Sequence, residues 1–546
     1  MRSRGTTIIA LAVLLLGTGV SLAERPVREQ GPEWTISGPD REGLQLRQQQ
    51  IHEWLLQELP GGALSKDPVT IGFTAEDLAS LNQDRRESPR RVGVVKTVDR
   101  RFDLATLRAR GGRGSDPAFA VTEDGGFVWA TRLSSPGASG LRVHFTEFSM
   151  PRAADVFLYT LDGQVYGPYQ RQGRNGDGDF WSDTAFGDEV LLQVRFFERP
   201  SRSELAHAGF SIAEVGRLGK SFGPTLESHC NQNVPCIENA ECGGGASQAL
   251  QNAIGQMLWA QGPYLYTCSG GLIADTDSGS QTPYFLTAHH CISRGKDAKN
   301  LEVYFNYTVP CGTSNCPDWV YDVNPLPPHT IGSTIRDSSS NGDHTLLELD
   351  EPAPSGTAFL GWTTANVANA NGTGLARVSY PAFMPQAYSE HTVDTGAGTC
   401  STLPRGEFIY SHDEYGATEG GSSGSPVVNS SDQIVGQLYG GCGTNINDEC
   451  DADSNSTVDG AFAYYFSSVE SYLDPGTSCT PSPEVCDNGS DDDCDGDVDC
   501  SDSDCSGDPA CSGGGCTLGQ PGDSCTSDAQ CCSNKCKGPP NNQTCR

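Results

Sequence analysis

The chain has 546 residues, room for roughly three or four domains, and only 36% of them are hydrophobic, with 65 glycines and 33 prolines, which argues for a loop-rich, mainly β protein and against a helical bundle. A net charge of −33 argues against nucleic acid as a partner and favours solubility and cation binding. Lys+Arg against Asp+Glu runs 25 to 28 over residues 24–220 but 9 to 41 from 221 onward, and all 22 cysteines lie from Cys230 on, so a composition boundary falls near residue 220.

Residues 1–23 have the layout of a signal peptide: basic Met1-Arg2-Ser3-Arg4, apolar Ile8 to Leu16, and Ser21-Leu22-Ala23 as a small-x-small cleavage site. No other segment approaches the roughly 20 apolar residues of a membrane helix, so the expected product is secreted, with no stable membrane insertion. The even cysteine count agrees, because disulfides form in an oxidising compartment.

Residues 24 to about 110 are polar and Arg-rich and are expected to be partly flexible. One helix is expected over Arg41–Leu59, where Leu44, Leu46, Ile51, Trp54, Leu55 and Leu59 make an imperfect apolar stripe. From Ala118 to Phe197 the pattern changes to short β-rich runs around Phe127–Thr131, Leu141–Phe145, Val156–Tyr159 and Val190–Val194, separated by Asp-Gly, Pro-Gly and Gly-Asp turns. These predict a small β-sandwich over about 115–200. The basic, glycine-containing joint Arg217–Pro224 is open to a protease. Cut there, for example after Lys220, residues 24–220 are a propeptide; uncut, the joint is an interdomain linker. Residues 221–475 form the largest block, with repeated short strands and one helix expected from Ser247 to Gln261. After Pro475 the chain is a Cys-, Asp-, Gly- and Pro-rich tail that needs disulfides or metal ions in place of a core.

Three motifs carry the chemistry. The first is Thr418-Glu419-Gly420-Gly421-Ser422-Ser423-Gly424-Ser425-Pro426. A serine nucleophile needs a base to take its proton and donors where the oxyanion forms; backbone without Cβ turns tightly enough to aim the N–H groups of Gly421 and Ser423 at one point. Alone, such a cluster reads as a flexible linker. The second is Tyr284-Phe285-Leu286-Thr287-Ala288-His289-His290-Cys291, a strand that ends in a candidate base, His290, with His289 as its rival. A disulfide from Cys291 to Cys268 would fix the backbone beside it. The third is Asn341-Gly342-Asp343-His344-Thr345-Leu346-Leu347-Glu348-Leu349, where Asp343 stands at a strand entrance, ready to accept the Nδ1 proton of His290.

In this order the motifs resemble the chymotrypsin-fold serine endopeptidases, most closely the bacterial lysyl endopeptidases, over residues 225–475. In that family the histidine before Cys291, the aspartate before the Thr-Leu-Leu-Glu-Leu run and the central serine of Gly-Ser-Ser-Gly-Ser-Pro form a triad, which selects His290, Asp343 and Ser423. The double histidine and the final Gly436-Gln437-Leu438 strand also have counterparts. The resemblance implies a chymotrypsin-like double β-barrel catalytic domain, here preceded by a β-sandwich-like prodomain and followed by a disulfide-rich tail. It further implies an endopeptidase that acts on protein or peptide substrates through an acyl-enzyme, needs no cofactor for catalysis and is made as a zymogen. It pairs Cys236 with Cys311 and Cys230 with Cys442 or Cys450, and leaves Cys242, Cys316 and Cys400 unassigned.

In this fold the P1 pocket is walled by the strand after the nucleophile, here Leu438-Tyr439-Gly440-Gly441, and by the strand beginning near Gly460. A lysine pocket needs a carboxylate at its base. The position nearest the family's specificity aspartate falls at about Thr457, and Tyr439 replaces the family's histidine; Asp459, two residues on, is the expected substitute.

In the tail, Asp491, Asp493, Asp495, Asp497 and Asp502, with Gly496 between, have the oxygen-ligand spacing of a calcium loop and resemble Asp- and Cys-rich calcium-binding repeats; a structural Ca2+ is expected over 476–512. A solvated acidic linker is the other reading. Residues 513–546 have the cysteine order of a knottin, which implies pairing of Cys516 with Cys532, Cys525 with Cys536 and Cys531 with Cys545. Such a module displays loops, and a cell-surface or matrix ligand is one reading of it; a spacer or a removable C-terminal propeptide is equally consistent. The rival to an enzyme is therefore a calcium-dependent surface-binding protein that uses a protease-like domain as a scaffold.

Overall fold

The computed structural model describes residues 27–35, 41–81, 88–104, 117–219, 235–242, 245–277, 280–312 and 326–475, with residues 485, 486, 505, 536, 537, 544 and 545 of the tail. Residues up to Leu473 form one compact unit and Asp474–Arg546 a second.

The turn-separated apolar runs become strands. Glu189–Phe196 lies between Phe127–Ser134 and Ala154–Tyr159 in one sheet, while Gly140–Ser149 pairs with Gly209–Leu218 in another. The two sheets close on an aromatic core of Phe102, Trp129, Phe145, Phe148, Phe180 and Phe210, in which Trp129 meets Phe102 edge-on at 5.3 Å. The sandwich is wider than the pattern implied. Arg90–Asp103, in the stretch expected to be partly flexible, is a strand paired on both edges, to Gly209–Leu218 and to Tyr264–Leu272. Through it the sandwich continues into the sheet of the following domain. The first helix runs Arg41–Glu58 and seats Leu55, with Ile51, Trp54 and Leu59, on Phe157, Tyr159 and Leu191.

Residues 235–473 build the two barrels. In the first, Tyr264–Leu272 pairs with Ile254–Gln261 and Tyr284–Ala288, Ile254–Gln261 pairs with Glu302–Phe305, and His344–Leu349 joins Tyr284–Ala288 to Ser333–Ser339. The second closes on itself: Pro426–Val428, Gly374–Ser379, Ala387–Val393, Phe408–Tyr415, Asn455–Ala461 and Gln433–Gly443 form a ring in that order. A helix, Phe462–Leu473, packs Phe462, Tyr465, Phe466 and Val469 into the core between them. The protein is thus mainly β, with a chymotrypsin-like double barrel.

The helix expected over Ser247–Gln261 stops at Ala253, and Ile254–Gln261 is a strand. Its apolar run is buried on both faces, and a Cβ at Gly255 would come within 2.3 Å of Val303 Cγ1. Pairing on both sides of this run outweighs a local helical pattern too short to stand alone.

Two disulfide expectations are corrected. Cys236 joins Cys450, not Cys311; Cys311 joins Cys242; and Cys442 joins Cys400, which leaves neither Cys442 nor Cys450 for Cys230. Bridging requires Cα atoms within about 7 Å. The donation of Asn239 Nδ2 to the Val309 carbonyl draws Cys242 to Cys311, 4.9 Å apart at Cα. In the second unit Cys486 is bonded to Cys505, and the backbones of Cys536–Lys537 and Thr544–Cys545 pair antiparallel. Asp491, Asp493, Asp495, Asp497 and Asp502, and the side chains of the expected knottin pairs, lie outside the described residues, as do Cys230, Cys316 and Lys220.

Candidate active site

His290 follows the strand Tyr284–Ala288 and Asp343 precedes His344–Leu349; these strands pair with Ala288 opposite His344. That register sets imidazole beside carboxylate. His290 Nδ1 lies 2.6 Å from Asp343 Oδ2, and the His290 backbone N–H donates to Oδ1 at 3.0 Å. Gly342 and Asp343 both have left-handed backbone, φ 69° and 50°, and Gln437 Nε2 donates to both of their carbonyls at 2.8 and 3.0 Å. The Cys268–Cys291 disulfide ties the next residue to the neighbouring strand. His289 is engaged elsewhere, its Nδ1 2.9 Å from Ser338 Oγ.

Ser423 sits in the Gly-Ser turn, which enters the gap between barrels so closely that side chains are excluded. A Cβ on Gly421, φ 106°, would lie 2.7 Å from the Ala382 nitrogen, and one on Gly424, φ 82°, 2.2 Å from Thr287 Oγ1. The Ser422, Gly424 and Ser425 N–H groups donate to the carbonyls of Glu419, Leu438 and Ser422. Those of Gly421 and Ser423 donate to no acceptor among the described residues, and neither does Ser423 Oγ. His290 Nε2, the nitrogen not held by Asp343, is 2.9 Å from Ser88 Oγ.

A cavity of about 340 Å³ opens beside Ser423 and His290 and is lined by Ser88, Tyr439, Gly440, Thr457, Asp413 and Glu419, with Asp448, Glu449 and Asp451 on an outer loop. Apart from that loop, the cavity's lining carboxylates are those of the buried Glu419 and of Asp413. His391 Nδ1 and Thr457 Oγ1 both meet Asp413 Oδ1, at 2.7 Å each, which leaves Oδ2 without a partner among the described residues. Burial raises the Asp413 carboxyl, but the facing His391, by charge and hydrogen bond, and the Thr457 hydroxyl more than offset this and hold it below the ordinary carboxylate range. It is therefore an anion at neutral pH. A larger cleft of about 1130 Å³ lies away from Ser423 and includes Asp183 and His329. There Asp183, Glu302 and His329 form a tight acidic and histidine cluster, but its oxygens are taken by Arg174, Tyr169, Thr184 and Arg142. It has the bonding of an interdomain contact, not of an open metal site.

A family model described as the lysyl endopeptidase C-terminal domain matches residues 226–459. That model is of a protease family, and the match spans less than half of the chain. Among curated proteins the chain is similar to the secreted RxLR effector protein 73 of Plasmopara viticola, 26% identical over 336 residues, covering 58% of this chain and 78% of that one. Among solved structures it is similar to the MamO protease domain of Magnetospirillum magneticum, with 12% identity, TM-score 0.27 and coverage of 40% and 96% of the two chains. It is likewise similar to the scabies mite inactivated protease paralogue S-I1, with 15% identity, TM-score 0.31 and coverage of 42% and 97%. No helix among the described residues is long and apolar enough to cross a membrane.

Within the segment that the family model matches, the pocket differs from the sequence expectation. Tyr439 and Gly440 line the cavity, but Asp459 does not. It is buried inside the second barrel, where its carboxylate is paired with Arg377, and both side chains are fully excluded from solvent. A charge that deep costs several kcal/mol unless paired, so Asp459 is committed to Arg377. Gly460 lies against the Gly342 carbonyl, where a Cβ would fall 1.9 Å from the oxygen; its role is to let the second barrel approach the Asp343 turn. Asp413 was missed. No alternation marks it, because Phe408, Ile409, Tyr410 and Ser411 are all buried in the strand Phe408–Tyr415.

Proposed function

We propose that this chain is a secreted serine endopeptidase, made as a zymogen, that acts through Ser423, His290 and Asp343 and prefers lysine at P1. The observation that carries the reading is one cavity lined by Ser423 and His290, with two uncommitted N–H groups in the Ser423 turn and the histidine held at 2.6 Å by a buried aspartate. Ser423 Oγ attacks the scissile carbonyl carbon while His290 Nε2 takes its proton, and the carbonyl π pair moves onto oxygen, where the Gly421 and Ser423 N–H groups stabilise it. Collapse of this adduct breaks the C–N bond, and the amine leaves with the proton from His290. Water then enters by the same route, releasing the acid and free Ser423. Asp343 keeps the Nδ1 tautomer and stabilises the imidazolium.

Secretion is supported by the export signal of residues 1–23, by the disulfides, and by a relative whose printed name calls it secreted. The zymogen reading is supported by the basic joint Arg217–Pro224 and by Ser88, a residue of the N-terminal domain, at His290. The tail is proposed to hold a structural calcium through Asp491, Asp493, Asp495, Asp497 and Asp502 and to display a binding module. A fluorophosphonate is expected to form a single adduct on Ser423, located by peptide mass mapping. No adduct under any condition favours the scaffold reading instead.

Lysine preference is supported by Asp413. Its one open oxygen suits the point charge of an ammonium better than the two-pronged guanidinium, which seeks both carboxylate oxygens. Asp413→Asn is expected to lower kcat/KM for lysine at P1 by roughly 100-fold, about 2.7 kcal/mol, with little change for alanine at P1. Fluorogenic peptides that differ only at P1 measure this, and a preference for a large apolar P1 sinks it.

A further inference from the structure

The strand Arg90–Asp103 lies along an edge of the first barrel. Its N-terminal end runs antiparallel to Tyr264–Leu272, with Val94 opposite Tyr264, Gly93 opposite Leu265, Arg91 opposite Tyr266 and Arg90 opposite Thr267. The Val95 N–H donates to the Pro263 carbonyl at 2.8 Å, and the Arg91 guanidinium stacks over the Tyr264 ring at 4.2 Å. Packing is close, since a Cβ on Gly93 would fall 2.8 Å from Leu265 Cδ1.

This pairing delivers the residues before Arg90 to His290. The barrel strand carries Cys268, which is bonded to Cys291, and Ser88 Oγ reaches both sides of that bridge: 4.0 Å from Cys268 Sγ and 2.9 Å from His290 Nε2. His290 Nδ1 is already donating to Asp343, so in the neutral ring Nε2 is the acceptor and the Ser88 hydroxyl the donor. A lone pair that accepts from Ser88 is not available to Ser423. Buried interdomain bonds hold the arrangement: Thr184 N–H and Oγ1 donate to the two Glu302 oxygens at 2.6 Å each, and Arg142 is buried against the same carboxylate.

We propose that the barrel edge Tyr264–Thr267 and His290 Nε2 form one site for an extended polypeptide, and that Ser88–Val94 occupies it as a tethered competitive inhibitor. Main-chain pairing along the edge fits an extended chain of almost any sequence, which is what a substrate offers. The N-terminal domain thus silences the enzyme by capturing the base, without distorting Asp343 or the Gly-Ser turn. This rests on the serine-peptidase reading, and the test separates the two.

The full-length chain, shown uncut by intact mass, is treated with a small fluorophosphonate. The rate of adduct formation is compared for wild type, Ser88→Ala, Ser88→Thr, Ser423→Ala and wild type nicked once between residues 219 and 235. Uncut Ser88→Ala is expected to react at least about fivefold faster than uncut wild type, the equivalent of one hydrogen bond, while Ser88→Thr, which keeps the hydroxyl, stays slow. Ser88 is half-buried at the sheet margin, so the melting temperature of Ser88→Ala should match wild type. Uncut wild type reacting as fast as nicked chain, or Ser88→Ala no faster than wild type, overturns the inhibitor proposal and leaves the peptidase intact. No reaction in any arm, nicked chain included, overturns the peptidase reading itself.

Discussion

Replacing Ser423 by alanine is expected to lower kcat by about 10⁵- to 10⁶-fold in the activated protein, the scale seen when the nucleophile of such a unit is removed. The fold should not register the change. Ser423 Oγ makes no hydrogen bond among the described residues, whereas the backbone of the same residue is held through its carbonyl, which accepts from the Ser269 N–H at 2.8 Å. Alanine keeps that bond and the left-handed glycines on either side. Stability should therefore move by less than about 0.5 kcal/mol, and the melting temperature should be unchanged. Peptide hydrolysis at the wild-type rate by this variant would show that another residue is the nucleophile.

Asp343→Asn should cost about 10⁴-fold in kcat at neutral pH with KM little altered. The reason is the proton inventory. Asp343 accepts twice, from the His290 backbone N–H on Oδ1 and from Nδ1 on Oδ2. An asparagine keeps one acceptor oxygen for the backbone but presents an NH₂ to the ring, so Nδ1 must become the acceptor and Nε2 carries the hydrogen. Nε2 then has no lone pair for Ser423. The turn itself stays supported by Gln437 on the Gly342 and Asp343 carbonyls. A loss below tenfold, or one confined to KM, would mean that Asp343 does not orient the base.

Legibility in the sequence followed the range of the interaction. The strands of the sandwich were readable because each is written in alternation and bounded by turn residues, and Arg41–Glu58 because its apolar stripe is local. The stretch Ile254–Gln261 was misread for the opposite reason. Its state depends on Tyr264–Leu272 and Glu302–Phe305 on either side, and continuous burial erases the alternation that marks a half-exposed strand. Arg90–Asp103 was overlooked because its charged residues suit an edge exposed to water, which the register with two partners then covers.

The site divides in the same way. Ser423, His290 and Asp343 were nominated by short motifs, since a turn with no room for Cβ, a histidine at a strand end and an aspartate at a strand entrance each leave a local mark. Those marks and the Cys268–Cys291 link are what the amino-acid order determined alone. Which carboxylate faces the cavity, which cysteines meet and what touches His290 Nε2 were decided by tertiary structure. Asp459 and Asp413 lie on neighbouring strands of one barrel, and only closure of that barrel gives Arg377 to the first and leaves an open oxygen on the second. Ser88 meets His290 across an interval of 202 residues; no local pattern records such a contact, because it is made by the register of two strands and not by the residues within either.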